Sequence, residues 1–224
     1  MQGELFQEVL KKETAVSAFL DLTNMFHWQN VLGWKFHLED IIRQLLSLPS
    51  MREVRVYYGI NDRDASSSKR FHARIRSTGA ILIAKPVKWV RREVNHGMFF
   101  KQATRSLFSP IVTEKVNDFV SYLRQTGTVI EEPKCNFDVE MTMDLLDVID
   151  KVSAVVVFSG DSDLHAPLQR LKIKGKQIYI CGVRGHTARE LMVLTGGFVN
   201  FGKWYNGKRY YEKAKIPLVA GPRV

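Results

Sequence analysis

The 224-residue chain has only two cysteines, Cys135 and Cys181, with neither CxxC spacing nor a nearby histidine pair. That excludes a disulfide framework or a zinc-finger-type site as the organising device, and free thiols in a reducing compartment are the expectation. No apolar run approaches the ~18 residues that cross a bilayer. Met1 to Thr14 alternates charged with apolar residues where a secretion signal would carry an apolar core. The expected setting is therefore cytoplasmic, without a membrane partner. The six histidines are scattered and no serine lies in a G-x-S-x-G turn, which speaks against catalysis by a serine or histidine nucleophile. Internal repeats and low-complexity tracts are absent as well.

What is present is a balanced globular composition, 45% hydrophobic and 11% aromatic, in a chain long enough for one sizeable core. Thirty-three basic residues against 23 acidic ones give a net charge of +10, which suits a polyanionic partner. The charge is also unevenly spread. Arg52 to Arg92 holds 11 Lys or Arg against 3 acids, whereas Glu131 to Asp163 holds 9 acids against 2 Lys. A basic protein with one acidic island is what a metal-dependent enzyme acting on nucleic acid requires, and a dispersed solvated surface is the plainer alternative.

The acidic island ends on Val155-Val156-Val157-Phe158-Ser159-Gly160-Asp161-Ser162-Asp163-Leu164. Four apolar residues, three of them β-branched, read as a strand buried on both faces. Leu164, Leu168 and Leu171 resume at helical spacing. Asp161 and Asp163 thus fall where a strand hands over to a helix, the end of an α/β sheet at which ligands bind. A helix cap explains one carboxylate, while two behind a glycine suit a hard cation such as Mg²⁺ or Mn²⁺. Ala15 to Leu22 reads as a second buried strand, ending on Asp21 with Asn24 three residues on. Strands are further expected at Val54–Tyr58, Ile81–Ala84, Gln177–Cys181 and Phe198–Phe201. Helices are expected near Leu38–Leu48, Ala65–Ser77, Thr113–Gln125, Asp138–Asp150 and Thr187–Leu194, and the stretch between Trp28 and Trp34 is read as irregular. Alternating strand and helix predicts parallel β-α-β units.

On the helix from Asp138, Glu140, Asp144 and Asp147 fall at i, i+4 and i+7, where like charges repel, and Asp138 at the N-terminus also suits a cap. Lys88 to Lys134 mixes Arg91, Arg92, Lys101 and Arg105 with Trp89, Phe99 and Phe100. That pattern fits a single-stranded nucleic-acid groove, an oligomer contact or a flap. Lys203 to Val224 carries 6 basic residues against Glu212, with four aromatics, and fits either phosphate contacts or packing across the sheet edge.

Three pieces of the chain, Asp21-Leu22-Thr23-Asn24, Phe137 to Leu146 (F-D-V-E-M-T-M-D-L-L), and S-G-D-S-D-L-H-A-P-L followed by G-K-Q-I-Y-I-C-G, resemble the NYN domain family of PIN-like nucleases, in particular its LabA-like branch. The resemblance spans most of Ala15 to Phe201. It implies a three-layer α/β/α fold around a mainly parallel sheet ordered about 3-2-1-4-5, with acids gathered where strands 1 and 4 lie side by side. With residues 15–201 as the domain and a basic insertion at about 88–134, the flanks are expected to be a packed N-terminal helix at 1–14 and a basic aromatic tail at 202–224. The resemblance further implies a Mg²⁺- or Mn²⁺-dependent ribonuclease with Asp21, Asp144, Asp161 and Asp163 catalytic. The metal ligands would be these four with Asp138, while Asn24 would orient water or phosphate. Arg70, Arg74, Arg91, Arg92 and Lys101 would grip single-stranded or structured RNA, and a homo-oligomer is admitted. Leu22 stands where the family usually has Gly, and is expected to narrow the approach of a phosphate backbone. Among rivals, a non-catalytic RNA-binding module keeps the same fold. A Toprim-like nuclease expects Glu in place of Asp21, and a nucleotidyltransferase needs a Gly-Ser phosphate loop that is absent.

Overall fold

Val16–Asp21 (β1), buried at every position, is the central strand of a sheet that the apolar runs of the sequence define. The computed structural model describes residues 3–95, 109–194 and 197–205. In chain order its elements are α1 (Gly3–Lys11), β1, α2 (Leu22–Leu32), α3 (Leu38–Leu46), β2 (Met51–Tyr57), α4 (Ala65–Arg76), β3 (Ile81–Ile83), β4 (Lys88–Glu93), α5 (Pro110–Gln125) and β5 (Val129–Lys134). There follow α6 (Asp138–Asp147), β6 (Ala154–Phe158), α7 (His165–Ile173), β7 (Gln177–Gly182), α8 (Arg189–Leu194), β8 (Gly197–Asn200) and α9 (Phe201–Tyr205). No helix among the described residues is long and apolar enough to cross a membrane.

Six strands form one parallel sheet in the order β3-β2-β1-β6-β7-β8. With β4 and β5 left aside, this is the expected 3-2-1-4-5 arrangement extended by one edge strand. The chain winds outward from β1 to β3 and then returns to β1's other side, so β1 and β6 meet at a topological switch point. Residues alternate between faces along each strand. Val16, Ala18 and Leu20 of β1 join Ala154, Val156 and Phe158 of β6 in the larger core, with Phe6 and Leu10 of α1 and Met25 and Trp28 of α2. On the opposite face Phe19 stacks on Tyr57 at 6.5 Å between ring centres, and Tyr57 meets Phe137 edge-on at 5.9 Å.

Three local expectations are corrected. The stretch leading to Trp34 is helical as far as Leu32, because Asp21 accepts the Asn24 N–H as an N-cap and Gly33, at φ +71°, closes the helix with its N–H on the Gln29 carbonyl. Trp28 and Trp34 both pack on Phe201, so their rings serve the core. Phe201 itself begins a helix in place of ending a strand. From that helix Trp204 and Tyr205 are buried, whereas residues 206–224 of the expected tail lie outside the described residues.

Pro86–Cys135 forms a compact unit of its own, distinct from the unit made by the rest of the chain. Here the expected irregular stretch contains an antiparallel pair, β4 with β5, and the helix α5, which begins at Pro110 behind a Ser109 cap. Arg91 lies directly opposite Glu131 and pairs with it at 3.1 Å, and Arg92 reaches Glu132 at 2.9 Å.

The N-terminal helix is held by aromatic packing, with Phe6 edge-on to Tyr179 at 6.2 Å and to Trp204 at 5.9 Å. Truncating a fully buried phenylalanine of this kind costs roughly 3–5 kcal/mol. Phe6→Ala is therefore expected to lower the urea midpoint by a matching amount with an unchanged m-value, and a shift under ~1 kcal/mol would mean that α1 is not part of the core.

Candidate active site

The C-terminal ends of β1 and β6 lie side by side, about 4.8 Å apart as in any sheet; β1 ends on an aspartate, and β6 reaches one after Ser159 and Gly160. Asp21 ends β1 and is 8% exposed. Its Oδ1 accepts the Asn24 N–H at 3.1 Å, and its Oδ2 accepts the Asn24 amide Nδ2 at 2.7 Å and the Ser159 hydroxyl at 3.0 Å. Ser159 is fully buried. Its Oγ also accepts the Asp161 N–H at 3.2 Å, so one hydroxyl fastens the end of β1 to the loop after β6. Asp161 then turns back to accept the Asp163 N–H at 3.1 Å. Asp138 opens α6, with Asn136 donating its amide to the carboxylate.

Gly160 makes this geometry possible. A methyl group on it would lie 2.1 Å from the His186 carbonyl oxygen, and its own carbonyl accepts the Ala188 N–H at 3.0 Å. The Asp161 loop is thereby pressed against the loop that follows β7.

Charge links the four acids. Burial pushes the Asp21 carboxyl above its ordinary range, against the pull of its hydrogen bonds, and the Asp161 charge pushes the same way. Burial also raises Asp138, and the charges of Asp161, Asp163 and Asp21 add to it. Among the described residues, none of these four carboxylates forms an ion pair. The donor set fits a hard divalent cation: all ligands are oxygens, they are mutually repelling, and they lack a protein counter-charge. The Asp21, Asp138 and Asp161 side chains accept from neutral N–H and O–H donors, and among the described residues no three His, Cys, Asp or Glu are gathered closely enough to ligate one ion as they stand.

Asp144, expected as a fifth member, is held elsewhere. Its Oδ1 pairs with Arg55 at 2.5 Å and its Oδ2 accepts the Tyr57 hydroxyl at 2.7 Å. Burial and the Asp144 charge together push the Tyr57 phenol far above its ordinary range, so it stays a donor. Asp144 lies six residues, about 9 Å of helix rise, past Asp138, and it anchors α6 to β2.

The expected cationic residues divide similarly. Arg74 pairs with Glu39, while Arg91 and Arg92 pair with Glu131 and Glu132 in the Pro86–Cys135 unit, so their charges are already matched by acids. Arg70 is exposed and donates to the Ser67 hydroxyl at 3.1 Å. Lys101 lies outside the described residues. Leu22 is fully buried in the core and does not reach the site, contrary to the expected narrowing. The residue that sequence reasoning passed over is Ser159, whose signal was its place directly after a buried strand and before Gly160.

Comparison with known proteins bears on the family and the fold. The NYN domain family matches residues 15–201. The low amplitude and bright protein LabA of Synechococcus elongatus (strain ATCC 33912 / PCC 7942 / FACHB-805) is 21% identical over 206 residues, 92% of each chain. The crystal structure of a protein of unknown function from Vibrio parahaemolyticus RIMD 2210633 shares the fold, with a TM-score of 0.56 at 17% identity over 84% of this chain and 92% of that one.

Two outcomes follow from the charges. Asp144→Ala leaves Arg55 with Glu53 alone and takes the acceptor from the buried Tyr57 hydroxyl, and is expected to cost about 2 kcal/mol by chemical denaturation. A neutral result would remove its anchoring role. Because Asp21 and Asp138 titrate above the unfolded value of 3.8, the unfolded chain releases those protons first. Metal-free stability should then fall as pH rises from 3.8 through the raised values. Melting curves of Asp161→Asn, which removes one of the repelling charges, should show a shallower fall over the same window.

Proposed function

Because the chain belongs to the NYN domain family of PIN-like nucleases, we propose that it is a divalent-metal-dependent ribonuclease, and an endonuclease, working at the ends of β1 and β6. The observation that supports this reading is that Asp21, Asp138, Asp161 and Asp163 lie near enough to raise one another's proton affinity while none is ion-paired among the described residues, in a chain of net charge +10. Asp21, Asp138, Asp161 and Asp163 are the residues that would hold Mg²⁺ or Mn²⁺. When bound, such an ion polarises the scissile phosphate and lowers the pKa of a ligand water.

The chain's own residues supply the rest. Asn24, fixed to Asp21 by two hydrogen bonds, orients that carboxylate. Ser159 keeps Asp21 and the Asp161 loop in one register, so the acids are positioned before substrate arrives. Asp144 holds the α6 helix that presents Asp138. Exposed cations such as Arg70 attract the phosphate backbone without reading its sequence. RNA, single-stranded or structured, is the substrate that the chain's net charge of +10 suits, and the reaction belongs in the cytoplasm.

A second reading, an RNA-binding module that retains the fold without cleavage, draws on the absence of a three-ligand array among the described residues. One experiment separates the two. Labelled single-stranded RNA is incubated with wild type and Asp161→Asn, each with Mn²⁺, Mg²⁺ or EDTA. The nuclease reading expects metal-dependent cleavage, lowered by about two orders of magnitude in the variant. It also expects Mn²⁺ to raise the wild-type melting point, by about 2.7 kcal/mol of stability at a hundredfold excess over Kd, with little response from the variant. Cleavage that survives chelation would rule out the metal, and salt-sensitive binding without any cleavage would favour the module.

A further inference from the structure

Between α7 and α8 lies an open groove of about 450 Å³, lined by His165, Lys172, Arg189, Glu190, Val193 and Leu194. Its volume falls within the roughly 300–1,000 Å³ of small-ligand sites. Its position is fixed by the site already described. His165 opens α7 two residues past Asp163, and Arg189 opens α8 next to Ala188, whose N–H is bonded to the Gly160 carbonyl. The cationic mouth of the groove is therefore tied to the Asp161 loop. From there Lys172 stands two turns, ~10 Å, along α7 and Val193 one turn, ~6 Å, along α8. Lys172 donates to the Leu194 carbonyl at 2.6 Å, which joins the two helices at the far end and leaves the groove preformed. Lys172 and Arg189, with the imidazole of His165, stand against one acid around an apolar floor, and Val193 is 72% exposed.

Resting on the nuclease reading above, we infer that this groove is the subsite for the nucleotide next to the cleaved phosphodiester. Arg189 and His165 take a phosphate at the mouth, and the base lies over Val193 and Leu194. A phosphate held at the mouth has its neighbour within reach of the acids, which the far side of the sheet cannot offer. The apolar floor meets the flat face of any base, so the subsite reads strand state and not sequence. An acidic peptide would engage the same cations but would gain nothing from the floor or from the acids beside it.

The test uses the full chain in EDTA with the Asp161→Asn background, so that binding is read without cleavage, and follows the anisotropy of a fluorescein-labelled single-stranded 12-mer RNA. Arg189→Ala is expected to weaken binding about fivefold at low salt and to reduce the slope of log K against log salt by about one. Val193→Glu, at an exposed position that leaves the fold intact, should weaken it similarly. Lys151→Ala, which removes one charge from the turn before β6 at the opposite end of the sheet, should change neither. Crosslinking with 4-thiouridine in the RNA should label the peptide from Arg189 to Leu194. Variants that bind within twofold of their parent, or adducts confined to other peptides, overturn the subsite. The two readings fail separately. A wild type that cleaves with Mn²⁺ while the groove variants bind normally removes the subsite alone, and one that never cleaves while those variants lose binding removes the nuclease alone.

Discussion

The hydroxyl of Ser159 is the point on which the site turns. It donates to Asp21 and accepts from the Asp161 N–H, joining two strands that are neighbours in the sheet but 138 residues apart in the chain. Buried carboxylates repel, and without fixed donors they would swing apart or take up protons. Neutral donors from Ser159, Asn24 and Asn136 hold these at close quarters while supplying no positive charge. Among the described residues, none of the four carboxylates is ion-paired with a protein cation.

Parallel topology supplies the remainder. All six strands of the main sheet point the same way, so every loop after a strand opens on one rim, and the switch between β1 and β6 leaves a crevice there. Because α6 runs back from that rim along the face carrying Tyr57, it offers its first aspartate to the crevice and its second to Arg55. Two aspartates six residues apart on one helix thus have different roles, one electrostatic and open, the other neutralised and structural.

Much of this was legible from residues alone. The Val155–Phe158 and Ala15–Leu22 runs are continuous because strands of a covered parallel sheet are buried on both faces, and the turn chemistry behind them marks the rim. The placement of Asp21, Asp138, Asp161 and Asp163 at or just past element ends was legible in the sequence, and their grouping as one site came from the resemblance to the NYN family. Asp144 was misread because its partner, Arg55, lies 89 residues away on a strand whose other polar residues look solvated. The α2 helix was missed because Asp21 ends a strand and caps a helix at once, leaving no loop between. In the same way, β4 and β5 declare their pairing only when Arg91 and Glu131 are seen opposite each other across a 40-residue separation.

The contact between Gly160 and the His186 carbonyl has a consequence for how such a protein can change. With only a hydrogen atom to spare, the two rim loops behave as a matched pair, and neither can be grafted, lengthened or exchanged unless its counterpart is redesigned with it. Every single-base change that alters a glycine codon's meaning brings in a side chain or a stop. A substitution at this locus is therefore tolerated only together with a shift of the loop after β7.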